Sequence, residues 1–344
     1  MQDRTKLLLL IAISLLFAAL FIGVGLNADN YQYLSRRVPK VLAMVFAGIA
    51  IAQSSLAFQT ITHNRILTPS IMGFDALYMF TQVLVVVLFG GMSSIAMNVY
   101  WNFSLSVAAM LSFSTLLFTF YFRSGHRNLI VLLLLGVILG QLFSSIASFF
   151  VMLMDPNDFA SVQANMFASF NNVNTKLVYV VSPLLLLACV LLFRQHRVLD
   201  VFWLDKDNAV SLGVDVHKVT RNVLLISALL ISISTALVGP ILFFGLLVTN
   251  LTREWFRSYR HSTLLLATSA MSVCALLSGQ WIIEKVFHFG TTLSVVINLS
   301  AGSISSRCYF AISGLAMIQL EKLTKHLVPS AWYMTPVLSL IKGR

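Results

Sequence analysis

Arg194 to Arg221 reads RQHRVLDVFWLDKDNAVSLGVDVHKVTR, the longest polar interruption in a chain that is otherwise nearly continuous apolar helix. Several apolar runs precede it and at least three follow. It carries Arg194, Arg197, Lys206, Lys218 and Arg221, so the preference for basic loops on the cytoplasmic side places it inside the cell. Within it, Val201, Phe202, Trp203 and Leu204 form an apolar knot. Asp205, a helix-starting residue, then opens a short helical stretch that ends at Gly213. A short capped amphipathic helix in a cytoplasmic loop suits docking to a soluble partner, and this is where something outside the membrane pushes on the membrane part.

Outward from that loop, the composition sets the class. Of 344 residues, 58% are hydrophobic and only 10% charged, and the mean hydropathy is +0.88. A soluble domain carries roughly a quarter charged residues. Long continuous apolar runs exclude a transmembrane barrel, whose strands alternate over about ten residues. The chain is therefore expected to be all-α and polytopic, with about ten transmembrane helices. The net charge of +11 lies in short loops between spans, so it reflects membrane topology and not nucleic-acid binding. Cys189, Cys274 and Cys308 have no ligand-like spacing, which speaks against disulfides and metal sites.

The spans run from about Leu7 to Gly25 (a retained first span, not a cleaved leader), Val38 to Ile61, Pro69 to Phe89, Ala96 to Phe122, Leu129 to Met154 and Leu177 to Phe193. After the loop come Val223 to Val238, a short eighth segment from Phe244 to Leu251, Leu264 to Ile283, and a tenth starting near Thr292. With the N-terminus inside, alternation leaves only Arg36, Arg37, Lys40, Lys176 and Lys285 outside before the final segment. Three of these fall in one pentapeptide, RRVPK. They serve either as snorkelling anchors or as a docking surface for an acidic partner.

Polar residues also mark span interiors. Gln53, Ser54, Ser55 and Gln59 lie in the second span, and Gln141, Ser144, Ser145 and Ser148 recur at three- and four-residue spacing in the fifth, on one helix face. Such side chains either glue helices together or wall a water-accessible conduit. Asp75 sits in the first turns of the third span, as a helix cap or an ion ligand. No span carries an acidic cluster, so an ion-coupled carrier lacks its usual core. No phosphate-binding loop or catalytic constellation appears, so the chain is not expected to be an enzyme.

These residues resemble the permease subunits of bacterial ABC importers for iron-siderophores, haem and cobalamin, the FecCD-like family. In RVPKVLAMVFAGIAIAQSSLAFQTITHN, residues Arg37, Pro39, Lys40, Gly48, Gln59 and Asn64 match the family's R-x-P-R, Gly/Ala-rich and Leu-Gln elements, with Lys40 for Arg. LTPSIMGFDA matches through Pro69 and Gly73. Ser211, Leu212, Gly213 and Val214 match S-L-G-V, and Gly239, Pro240, Phe243 and Gly245 match G-P-I-x-F-x-G-L. The resemblance covers about residues 1–300.

It implies a type II ABC importer permease fold in the bacterial inner membrane, with a second, identical or related permease subunit around one pathway. Two cytoplasmic ATPase subunits would hold ATP and magnesium, no cofactor being bound by this chain, and a periplasmic or surface siderophore-binding protein would deliver cargo. Residues 194–221 then correspond to the coupling loop, with Trp203, Leu204, Ala209, Ser211, Leu212, Gly213 and Val214 facing the ATPase. Arg36, Arg37 and Lys40 would dock the binding protein, and Gln141, Ser145 and Ser148 would line the pathway. Thr249-Asn250 replaces the family's Pro-His, and Met166–Asn174 departs from Trp-x-x-Gly-Ser. Both departures look most like the branch serving catecholate and mixed-type siderophores. Haem or cobalamin import is the nearest alternative, and an ATPase-independent secondary carrier a more distant one.

The family closes with G-G-x-Y-F-x-x-L-L-x-R, whereas this chain continues from Ala301 through SISSRC to Arg344. Read one frame over, codons for Ala301 to Ile312 permit Gly-Lys-Tyr-Phe, two further residues, then Leu-Leu-Phe-Arg-Asp. A displaced reading frame is thus expected to have replaced the last span with residues 301–344, the alternative being a genuine divergent tail.

Overall fold

The structure, a computed structural model, describes residues 3–23, 34–91, 93–123, 129–166, 168–170, 173–204 and 206–285. The expected tenth span, the tail 301–344 and Asp205 lie outside them. Helices α1 (Asp3–Gly23) and α2 (Leu34–Thr62) are followed by a 3₁₀ turn (Pro69–Met72), α3 (Phe74–Phe89), one-turn α4 (Ser94–Met97) and α5 (Val99–Arg123). Next come α6 (Leu129–Leu153), short α7 (Pro156–Met166) and α8 (Thr175–Phe193). The polar stretch holds α9 (His196–Phe202) and α10 (Lys206–Ser211), and α11 (Val216–Val238), α12 (Phe244–Trp255) and α13 (His261–Lys285) complete the described chain.

Helices α1, α2, α5, α6, α8, α11 and α13 are long and apolar enough to cross a bilayer. Helix α3 has 16 residues, about 24 Å at 1.5 Å each, so the preceding 3₁₀ turn completes its crossing. Helix α12 has 12 residues and is a half-span, as the short eighth segment predicts. The fourth span begins at Val99 and not near Ala96. Asn98 breaks the helix there, its Oδ1 accepting the Tyr100 N–H at 3.0 Å as an N-cap.

Helix α2 is the axis of the bundle, packed against α8, α11, α12 and α13. Its sequence explains this. Ala43, Ala47, Gly48, Ala50, Ala52, Ser54 and Ala57 are all buried, and such small residues let neighbouring backbones approach closely where lipid offers no hydrophobic drive. A Cβ on Gly48 would stand 2.9 Å from Leu276 Cδ1 of α13. The 3₁₀ turn uses the same device against α6. Gly73 has φ +87°, and a Cβ there would lie 2.7 Å from the Cα of Gly140, while one on Gly136 would meet Met72 Cα at 3.0 Å. The G-V-I-L-G run of α6 is thus the slot that receives the turn.

The two glutamines of α2 join it to its neighbours, while Ser54 bonds within α2 to the Ile51 carbonyl. Gln53 Nε2 donates to Ser269 Oγ on α13 at 3.1 Å, and Gln59 Nε2 to Thr249 Oγ1 on α12 at 2.9 Å. Helix α12 approaches so closely that a Cβ on Gly245 would collide with Ser55, its Cβ only 2.8 Å away. Gly245→Ala is expected to lower stability by ~1–3 kcal/mol, the usual cost of overpacking. Ser55→Gly in the same chain should restore most of it. Thermal melting in detergent checks both, and equal melting of wild type and Gly245→Ala would contradict the contact.

Two faces of the bundle are distinguishable. On one, Lys6 Nζ of α1 donates to the Trp255 carbonyl at 2.6 Å, beside the C-terminus of α2, the N-terminus of α13 and α9. Phe122 of α5 meets His217 of α11 there, ring centroids 5.2 Å apart. On the opposite face, Arg37 reaches the end of α1, and the Ser169 N–H donates to the Val238 carbonyl at 3.0 Å. The helix ends and loops bearing Arg65, Arg123, Arg253, Arg257, Arg260 and residues 194–221 therefore share the first face, as alternation of the spans requires.

Candidate coupling site

The polar stretch folds as two helices, where its sequence suggests one. Leu199 and Phe202 are spaced three apart and fully buried, which extends helical structure N-terminally and makes the apolar knot the end of α9. Helix α10 follows, with Ala209 buried beneath it. The Gly213 N–H donates to the Val210 carbonyl at 2.9 Å and the Val214 N–H to the Ala209 carbonyl at 3.0 Å. Those two bonds, with Gly213 at φ +80°, form a Schellman cap. Asp215 then N-caps α11 through the Lys218 N–H at 3.1 Å. That backbone donor, first among its causes, holds the carboxyl below the ordinary aspartate range.

The cap presents an apolar surface to solvent. Leu204, Val210 and Leu212 are 60%, 61% and 64% exposed, with Ser211 and Gly213 beside them. Val210 is an addition to the residues expected from sequence. Trp203 and Ala209, expected to face a partner, point inward and support the surface from below.

A buried polar chain fixes this surface to the bundle. Asp200 Oδ1 on α9 accepts the His261 backbone N–H at 2.6 Å and pairs with His261 Nδ1 at 2.8 Å. His261 Nε2 lies 2.9 Å from Thr60 Oγ1 on α2, and that hydroxyl also reaches the Leu56 carbonyl at 2.9 Å. Acceptor-only Asp200 places a proton on Nδ1. Trp203 packs edge-on against the His261 ring at 6.0 Å. On the Trp203 ring stack Arg253, 4.6 Å from its centroid, and Arg65, at 5.7 Å. The loop is thus bolted to the ends of α2, α12 and α13 together. None of Asp200, His261, Thr60 or Arg253 was singled out by sequence reasoning.

The other expected sites separate. Arg36 is exposed on the opposite face. Arg37 instead donates to the Phe21 and Ile22 carbonyls at 3.4 and 3.1 Å, a cation at the C-terminal end of α1. Lys40 is half-buried, with Glu284 as an electrostatic neighbour. Gln141, Ser145 and Ser148 lie on one exposed face of α6, where polar groups on a mostly apolar span face away from the rest of this bundle. Asp75 is buried in the first turn of α3 beside Ser70, and Gly73, not Asp75, holds the N-cap position.

Comparison with known proteins agrees with this architecture. The chain is 47% identical to the petrobactin import system permease protein YclO of Bacillus subtilis over 302 residues, 88% of this chain and 96% of the relative. It is 34% identical to the petrobactin import system permease protein FatC of Bacillus anthracis, across 78% and 76% of the two chains. A metal-chelate-type ABC transporter in an inward-facing conformation shares the fold, with TM-score 0.78, 22% identity, and 90% and 99% of the chains covered. The profile of the FecCD transport family matches residues 6–304, and a match over that much of the sequence means that this chain, a multi-pass all-helical membrane protein, belongs to the FecCD transport family.

Proposed function

We propose that this chain is the membrane permease of an ATP-driven ABC importer that carries a ferric siderophore of the catecholate or mixed type inward across the bacterial cytoplasmic membrane. The observation that carries the reading is the α9–α10 surface. It is an exposed apolar ridge on the basic face, closed by a glycine cap and anchored by a buried polar chain to three helices of the bundle. Such a ridge transmits force only if something soluble grips it, and two cytoplasmic ATPase subunits supply both the grip and the energy. This chain provides no chemistry of its own. The relatives named for petrobactin import support a siderophore of that class as cargo.

Alternating access needs a pathway, and the exposed Gln141, Ser145 and Ser148 face suits one shared with a second permease subunit. Polar groups there lower the cost of passing a charged chelate through the membrane. On the outer face, Arg36 and Lys40 suit a siderophore-binding protein with acidic lobes. Reversing Arg36 to Glu should slow docking several-fold and flatten its salt dependence, the behaviour of a rim charge, without changing melting. Arg37→Glu should also lower melting, because it uncaps α1. Surface plasmon resonance with the loaded binding protein, beside thermal melting, separates the two.

Residues 301–344 we read as the product of a displaced reading frame. A frame that the codons permit would restore the family's closing span, and the family match ends at residue 304.

Uptake of radioactive ferric iron by iron-starved cells with and without the gene tests the whole reading, across petrobactin, enterobactin and other ferric siderophores with haem and cobalamin controls. Loss confined to catecholate or mixed-type chelates is expected. Loss of haem or cobalamin uptake alone would keep the machine and overturn its cargo.

A further inference from the structure

Beside the coupling site is a cavity of about 260 Å³ lined by Arg65, Arg253 and Arg257 together with Trp203, Phe256 and Tyr259. No carboxylate among the described residues lines it. Arg253 and Arg65 stack on the same indole, which brings two positive charges together. The stack occupies the flat face of the Arg253 guanidinium and leaves its in-plane N–H groups to find oxygen. Nε and Nη2 of Arg253 are buried and have no hydrogen-bond acceptor among the described residues. Buried charged donors left unmet are costly, and two guanidinium groups gathered without a counter-charge among the described residues repel each other. What the cavity lacks is one compact anion with several acceptor oxygens, to which the planar fork of arginine is matched.

We infer that this cavity binds the phosphate of an anionic phospholipid headgroup from the cytoplasmic leaflet. Its place in the fold favours lipid as the source of that phosphate. It opens where α2 and α12 end and α13 begins on the basic face, so the headgroup layer lies level with it. Trp203, Phe256 and Tyr259 give its walls the amphipathic aromatic character of a membrane interface. Tyr259, 77% exposed, stands at its rim. Lys6, 5.9 Å from the Phe256 ring centroid, adds positive charge nearby, and basic pockets between helices on this side of a membrane attract such headgroups. Because Trp203 is shared, a bound headgroup would brace the floor of the α9–α10 ridge and couple its rigidity to the composition of the inner leaflet. The inference needs the membrane topology but not the importer reading.

The test uses the purified full-length chain in nanodiscs and by native mass spectrometry after detergent extraction. Retention of phosphatidylglycerol or cardiolipin over phosphatidylcholine is expected, with Arg253→Gln weakening retention about tenfold, the loss of a charge-assisted contact. Arg65→Gln, at an exposed side chain that leaves folding intact, should weaken it by a smaller factor. Equal retention of anionic and zwitterionic lipid, or unchanged retention in both variants, would overturn the site. Displacement of lipid by millimolar inorganic phosphate would overturn the lipid as source while leaving a phosphate site. Tighter retention in Asp205→Asn would show that a carboxylate of the chain itself competes for the arginines, and would overturn a permanently vacant anion site.

Discussion

Replacing Asp200 with Ala is expected to abolish stimulation of the partner ATPase by loaded binding protein while leaving basal ATP hydrolysis in place. Among the described residues, Asp200 is the one that ties α9 to the backbone and the ring of His261 together, at 2.6 and 2.8 Å. His261 is wholly buried, so losing the acceptor leaves two donors without their partner, a penalty of about 1–3 kcal/mol. About a third of the Asp200 side chain is exposed, which holds the effect toward the lower end of that range. The fold should survive, because α2 keeps its bonds to α12 and α13. What fails is transmission: a ridge that rocks on its footing moves without dragging the spans. Coupling elements contribute about 1–3 kcal/mol, roughly 5–150-fold, so uptake should fall by at least about fivefold. Asp200→Asn is the control, since its amide oxygen still accepts from the His261 backbone. It should retain most uptake. His261→Gln should resemble Asp200→Ala, and the double variant should be no worse than either single one, as expected of residues acting in one chain. Intact stimulation in Asp200→Ala would mean that the α9–α10 loop does not transmit through α13.

How much of this was legible beforehand depends on the distance over which each contact acts. The spans followed from apolar runs, and the end of α10 followed from Gly213, because a left-handed cap is a local signal. The half-span α12 was visible in the short apolar run after Gly239-Pro240. Helix α9 was not, because five basic or acidic residues between Arg194 and Lys206 hide a burial pattern that rests on Leu199 and Phe202 alone. Asp200 and His261 are 61 positions apart, and Gln59 and Thr249 are 190 apart. No periodicity links either pair. Thr249 is instructive in another way: as a departure from the family's proline it pointed to a substrate branch, yet its hydroxyl accepts the Gln59 amide and thereby serves packing. Arg37 likewise read as a docking charge, because nothing local to it announces that the last carbonyls of α1 lie within reach.

Deleting or inserting the base that restores the family-like frame at about codon 301 is expected to raise ferric-siderophore uptake from background to that of a complete importer. After Arg307 the tail offers only Tyr309 to Leu320 as an apolar run before Glu321 and Lys322. Those 12 residues would span ~18 Å as a helix, well short of the ~20 residues a crossing needs. The family-like frame that the codons permit would instead join Thr292–Ser300 to Gly-Lys-Tyr-Phe and Leu-Leu-Phe, close to one full span, and would end it on arginine and aspartate at the far interface. The closing basic residue would then fall on the same side as Arg65 and Arg253, which satisfies the charge bias of every other cytoplasmic loop. Sequencing the coding DNA decides the premise, and expressing both frames from one plasmid decides the consequence. Equal uptake from the two frames, with equal amounts of protein in the membrane, would establish residues 301–344 as a working end of the permease and remove the frame argument altogether.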